Sequence, residues 1–298
     1  ENFVWDGRDN NGNRVPDGQY RYRVVSVDAA GNKTAAQTSL FTVDTRPRPI
    51  RVSINRGTFS PNGNGIQDEV EVRFEVPVQE GVAEWEFIVR DGSGTERRRY
   101  TGGEEVPESI RFDGRDDAGR RLAEGGYRGE LSVLYVNGNN PREETPVMVI
   151  DVTEPSGSVK SDVEVFSPNG DGNKDEVTLY QESSDEELWE GKIRDGEGTV
   201  VKEFSWRGNA ARKVIWDGRG EGGQVVTDGA YRYTLVSVDS AGNRGESEPV
   251  VFEVDTRETP VQVSSDSAAF SPNADGERDV VTFLPSVEVE DGIERWEL

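Results

Sequence analysis

The residues best placed to do chemistry lie in the loop Asn169-Gly170-Asp171-Gly172-Asn173-Lys174-Asp175-Glu176. Oxygen-bearing side chains at every second position can turn toward one point, and a hard cation such as calcium takes roughly six to eight oxygen ligands. Asn169, Asp171, Asn173, Asp175 and Glu176 are therefore candidate calcium ligands. Asn273, Asp275, Glu277 and Asp279 keep the spacing in a later copy, whereas Asn62, Asn64, Ile66 and Asp68 keep it with a single carboxylate before Glu69. A second reading competes. Pro, Asn, Asp and Gly also build turns whose side chains bond nearby backbone N–H groups. The copy at 62–68 favours that reading, because it keeps the turn and loses the charge a metal needs. Asp6, Asp9 and Asp17 form a weaker cluster, since Gly220 stands where Asp9 would recur.

Little other chemistry is available. The chain has 298 residues with no histidine and no cysteine, so the usual general base, the commonest transition-metal ligand, thiol catalysis and disulfides are all absent. Its 58 Asp and Glu against 34 Lys and Arg give a net charge of −24, which repels nucleic-acid phosphates and anionic lipid. The expected partners include no nucleic acid, and no run reaches membrane-spanning length, Val147 to Ile150 being typical of the longest. A glycosidase would need two acids about 5–10 Å apart, but no unit holds a distinctive, non-repeated acidic constellation. The expectation is a protein that is not an enzyme. Arginine-rich Glu96-Arg97-Arg98-Arg99 reads as a protected strand edge rather than a binding patch.

What positions the acidic loops is a repeat. Phe59-Ser60-Pro61-Asn62 returns at Phe166 and Phe270, spacings of 107 and 104. Trp5-Asp6-Gly7-Arg8 returns at Phe112 and Trp216, and Asp44 returns at Asp151 and Asp255, with the same two steps. A period near 105 residues is that of a domain, not of a solenoid unit. Pro-bearing stretches (Arg46 to Pro49, Glu154-Pro155, Glu258 to Pro260) mark the joints. The expected organisation is the C-terminal part of a repeat at 1–48, complete repeats at 49–153 and 154–258, and the N-terminal part of another at 259–298. With Trp296 matched to Trp85 the two end pieces do not add up to one domain, so the chain reads as a segment of a longer array.

Within a repeat the pattern is that of strands. Glu69 to Val76 alternates charged and apolar residues, and Tyr20 to Val24, Tyr127 to Val133 and Tyr231 to Leu235 alternate with aromatic inward positions. Turn clusters such as Asp91-Gly92-Ser93-Gly94, Asp195 to Gly198 and Gly242-Asn243 fall between them. These features predict an all-β chain of β-sandwiches. Ser184 to Leu188 has room for a helical turn. Trp5, Phe112 and Trp216 read as core anchors rather than carbohydrate-stacking platforms.

The run Trp5-Asp6-Gly7-Arg8-Asp9, Gly12, Val15-Pro16-Asp17-Gly18 and Tyr20-Arg21-Tyr22 resembles the Ig-like domain of the flagellar hook-capping protein. Phe166 to Gly172 resembles the opening of gliding-motility-associated C-terminal domains, and the acidic loop is similar to the start of helix-loop-helix and dockerin calcium loops, with Lys174 where those want glycine. The resemblance implies tandem Ig-like, fibronectin-like sandwiches serving as spacer, adhesive or assembly modules in a bacterial envelope. The expected function is a structural array forming a stalk, fibre or filament component. The expected location is outside the cell or on its surface, the periplasm being the alternative. Its partners would be neighbouring repeats and other copies of itself in a filament. An adhesin binding a glycan or a surface protein is the competing function, and Trp206, where the preceding repeat has Gly102, is its candidate aromatic.

Overall fold

The computed structural model describes residues 2–288 together with 293, 295 and 297. Trp296 and Leu298, which set the repeat register at the C-terminal end, lie outside the described residues. Among those described, every regular element is a strand. Contacts divide the chain into two compact units, Glu1–Pro155 with Val238–Gly245, and Ser156–Ser237 with Glu246–Leu298.

In the first unit Val70–Glu75 sits between Ser109–Phe112 and Arg51–Ile54, antiparallel to both. The alternation read from the sequence is seen directly: Val70, Val72 and Phe74 are buried while Arg73 and Glu75 are exposed. A larger sheet runs Thr58–Phe59, Met148–Ile150, Gly125–Tyr135, Val82–Asp91 and Glu96–Gly102. Its one parallel contact pairs Val149 with Thr58. Side chains from both sheets, among them Val72, Phe87, Phe112, Leu131 and Met148, form one core. That shared interior makes this a β-sandwich.

The second unit repeats the plan. Gly157–Ser161, Val177–Ser183 and Lys213–Trp216 form its small sheet. Val165–Phe166, Val250–Val254, Gly229–Val238, Glu186–Arg194 and Val200–Gly208 form the large one in the same order, again with one parallel pair. Phe166, Leu179, Ile193, Trp216, Tyr233 and Phe252 fill its core. The fold is all-β, Ig-like and fibronectin-like sandwiches in tandem.

Ser184 to Leu188 does not form a helical turn. The strand Glu186–Arg194 runs through it, with a bulge between Glu186 and Trp189. The cause is Trp189, which is fully buried and donates its indole N–H to Ser184 O at 2.9 Å, fixing the chain in an extended path. The arginine run behaves as expected of an edge. On the outermost strand of its sheet Arg99 pairs with Glu96 at 2.7 Å, and Arg97 and Arg99 reach back to Asp91, at 2.7 Å, and to Glu86 on the neighbouring strand.

Paired strands also occur toward both chain ends. Gly18–Tyr20 pairs Phe41–Val43, Arg23–Val27 pairs Lys33–Gln37, and Val261–Ser265 pairs Phe283–Val287.

Candidate functional site

The acidic loops are closed by their own backbone. In the second copy the Asp175 carboxylate accepts Gly170 N–H at 2.7 Å on one oxygen and Gly172 N–H at 2.8 Å on the other. Asn169 Oδ1 accepts from Asp171 N–H at 3.0 Å, and Asp171 Oδ1 from Asn173 N–H at 2.8 Å. Ser167 N–H donates to Lys174 O at 2.8 Å and ties the loop at its base. Lys174 takes a left-handed φ of 51°, the conformation for which glycine is ordinarily used. Glu176 is exposed.

The other copies share this ladder. Asp279 accepts Ala274 and Gly276 N–H at 2.8 Å each, Asn273 accepts Asp275 N–H at 3.2 Å, and Asp275 accepts Glu277 N–H at 2.9 Å. Glu277 thus enters through its backbone, and that bond is the first cause holding the Asp275 carboxyl below its usual range. In the first copy Asp68 accepts Gly63 and Gly65 N–H at 2.7 Å each, with Asn62 and Asn64 completing the ladder. One carboxylate is enough to build the loop. Among the described residues no group of three or more acidic side chains is arranged to hold a metal ion. A cation at 169–176 would have to compete with two amides for both oxygens of Asp175.

The weaker cluster is dispersed in the same way. Asp9 Oδ1 accepts the N–H of Asn11 and of Asn13, both at 2.9 Å, while Asp17 Oδ1 accepts Thr45 N–H at 3.0 Å and its hydroxyl at 2.8 Å.

The structure brings together two motifs that are far apart in sequence. Phe59 meets Phe112 edge-on at 5.8 Å, and Phe166 meets Trp216 edge-on at 5.5 Å. Just beyond each anchor a glycine has positive φ, 67° at Gly114 and 69° at Gly218. A Cβ on Gly114 would lie 2.8 Å from Pro61 Cγ, and one on Gly218 would lie 2.6 Å from Pro168 Cγ. The Ser-Pro-Asn turn therefore rests on the Asp-Gly-Arg turn, and glycine is required there by conformation and by space. Phe112 and Trp216 are buried, which leaves no face for stacking a sugar. Trp5 is half-buried, against Tyr20 and Phe41.

Each anchor is held by a tyrosine whose hydroxyl donates to a carbonyl four residues earlier: Tyr20 to Pro16 at 2.7 Å, Tyr127 to Ala123 at 2.8 Å, Tyr231 to Thr227 at 2.7 Å. Residues 1–30 match the FlgD Ig-like domain. No curated protein matches the chain. Solved structures similar to it include a tetra-tandem repeat from the extending region of a large adhesion protein, at 15% identity and TM-score 0.31, covering 93% of this chain and 72% of that one. A bacterial ice-binding adhesin of 1.5 MDa is similar at 13% identity and TM-score 0.40, over 75% of this chain and 70% of that chain. Fibronectin(III)-like modules of CbhA from Clostridium thermocellum are similar at 14% identity and TM-score 0.35, over 68% and 92%.

Trp206 is half-buried rather than presented to solvent. It stacks on Phe204 at 6.1 Å and packs against the clusters built on Trp189, Leu235 and Tyr233.

Two of the three equivalent carboxylates after the last strand of a repeat, Asp44 and Asp255, are held by arginine. Arg257 forks onto Asp255 at 2.9 and 2.6 Å, and its side chain and backbone N–H bring the Asp255 carboxyl down from 3.8 to about 2. Asp44 is lowered in the same way, by Arg46 first. A group whose folded pKa is depressed stabilises the fold above its unfolded pKa and stops doing so as pH falls through the folded value. Stability is therefore expected to hold from about pH 8 to 5 and to fall progressively below about pH 4, because no histidine titrates in between. Thermal melts across this range check it; a step in Tm between about pH 6 and 8 would contradict it.

Proposed function

We propose that the chain is a non-enzymatic structural array of bacterial Ig-like repeats, forming part of a stalk, fibre or filament outside the cell or at its surface. One observation carries the reading: the same lock, an aromatic anchor with a proline turn seated on its glycine, is built at Phe112/Gly114/Pro61 and again at Trp216/Gly218/Pro168. Repeating a unit closed by the same internal lock serves length and stiffness. The side chains with chemical potential support it too. Asp68, Asp175 and Asp279 serve backbone amides and Trp206 packs on its own sandwich, so these side chains are engaged in building the repeat. High negative charge keeps such a surface soluble and resists association between strand edges.

Pulling single molecules from their ends tests this. Repeats of 107 and 104 residues would each release roughly 350 Å of chain at about 3.3–3.6 Å per residue. Two such equal steps are expected. A chain that yields without resolved steps would not be a stalk of this kind.

A further inference from the structure

The outermost strand of each large sheet, Glu96–Gly102 in the first sandwich and Val200–Gly208 in the second, pairs with a neighbour on one side only among the described residues. Backbone N–H and C=O groups along the other side of such a strand form a template for pairing with a further strand. In both sandwiches one acidic residue closes part of that side. Asp117 N–H donates to Arg97 O at 3.3 Å, and Asp117 Oδ1 accepts Arg99 N–H at 3.1 Å. Glu221 N–H donates to Val201 O at 3.0 Å, and Glu221 Oε1 accepts Glu203 N–H at 2.9 Å. Donating to one residue and accepting from the second one after it is what a single residue of a parallel strand does. Here the carboxylate stands in for the carbonyl.

Asp117 and Glu221 stand at the repeat spacing of 104, as do the strand residues they bind. Each comes from the Asp-Gly-Arg turn, whose base is closed by the bridges Arg115 to Arg121 and Arg219 to Val225. Arg115 Nη1 donates to Gly119 O at 2.9 Å and Arg219 Nη1 to Gly223 O at 2.8 Å, which fixes the turn that presents the acid. The strand also reaches back. Arg98 Nη1 donates to Asp116 O at 2.8 Å, and Lys202 Nζ lies 3.6 Å from Glu221 Oε2. The bond from Glu203 N–H is the first cause holding the Glu221 carboxyl below its usual range. The two acidic side chains are 58% and 63% exposed, so neither fills a core. Their shared contact is the strand backbone.

We propose that Asp117 and Glu221 are edge locks, which keep the outermost strand of each large sheet from pairing with the same strand of a second copy. Two such strands meeting antiparallel would make a closed two-fold contact and continue the sheet from one molecule into the other. The lock prevents this by occupying the acceptor and the donor that the incoming strand would use. It is one residue long, so it ends the sheet without offering a new edge. The lock belongs to each sandwich and holds whatever the array serves.

Sedimentation of the full chain at rising protein concentration, well below its melting temperature, tests the lock. Asp117→Ala and Glu221→Ala each remove a carboxylate and leave the backbone of the turn. Each single variant frees one edge and is expected to shift from the mass of the unaltered chain to that of its dimer. The double variant frees two edges and is expected to go on to longer species. Asp117→Asn with Glu221→Gln keeps a side-chain carbonyl for the Arg99 and Glu203 amides and should sediment as the unaltered chain does. A double alanine variant that sediments like the unaltered chain overturns the proposal. An amide variant that associates as far as the alanine one overturns it too, because the hydrogen bonds would then not be what closes the edge. So does association that sets in only as the chain begins to melt, since that comes from unfolding.

Discussion

Trp216→Ala is expected to destabilise the sandwich that contains it by about 3–5 kcal/mol, the usual cost of removing a buried large aromatic. Trp216 is 1% exposed and touches Phe166, Tyr231 and Phe252 at centroid distances of 5.5, 5.5 and 5.7 Å. Its indole N–H also donates to Arg219 O at 2.9 Å, closing the turn that carries Gly218. Removing the ring empties the middle of an aromatic cluster and loosens the seat of Pro168 at the same time. For a domain of this size each kcal/mol moves Tm by roughly 4–8 °C, so calorimetry should show one transition displaced far downward and another in place. Trp216→Phe reproduces what the other sandwich has at Phe112, and should lose only about 1 kcal/mol for the missing hydrogen bond. Trp5→Ala, at the same motif position but half-buried, should cost clearly less. Equal losses at Trp5 and Trp216 would mean that the motif residue matters for its turn and not for its burial.

The contrast between Trp5 and Trp216 shows where sequence reasoning reaches and where it stops. Alternation made the strand Val70–Glu75 and the tyrosine-bearing strands legible, because a half-wet sheet writes its two faces into successive residues. The repeated aromatics were legible as core for the same reason. That the proline of one motif sits on the glycine of the other was not, since nothing local ties Pro61 to Gly114. The acidic loops could be read two ways because a cation and a ladder of amides ask for the same oxygens at the same spacing. Only geometry shows both Asp175 oxygens engaged by Gly170 and Gly172. Trp206 looked singular against Gly102 for a related reason. In the first sandwich the Trp85 ring lies in the space a side chain at 102 would need; the second keeps a tryptophan at the place of Trp85, Trp189, whose ring packs with Ala210 and Leu235, and Trp206 takes the space at 102 from its own strand. Substitutions that exchange which strand supplies a ring are invisible to periodicity.

The strongest such exchange gives the second large effect. Phe87, fully buried, lies across Gly129, and a Cβ on Gly129 would clash with Cζ at the tip of its ring. At the equivalent places the second sandwich has Gly191 and Tyr233, with the ring arising from the opposite strand and covering the glycine in turn. One pocket is filled from two sides. Phe87→Gly should cost about 3–5 kcal/mol for the lost ring, with roughly another 0.5–1 for glycine in a strand. Gly129→Phe should cost about 1–3 kcal/mol or more by overpacking, since Phe87 is walled in by Phe74 at 5.2 Å and has nowhere to retreat. The double variant restores one ring to one pocket and should recover most of the stability, a favourable coupling of up to about 3 kcal/mol in urea melts. Phenylalanine is the right choice at 129 because Tyr233 donates its hydroxyl to Gln181 at 2.8 Å, and the first sandwich has Phe74 at that place, which cannot accept it. Gly129→Tyr with Phe87→Gly should therefore recover less than the phenylalanine version, and adding Phe74→Gln should close the difference. Strict additivity of the two single losses would show that the rings of the two sandwiches do not occupy the same site.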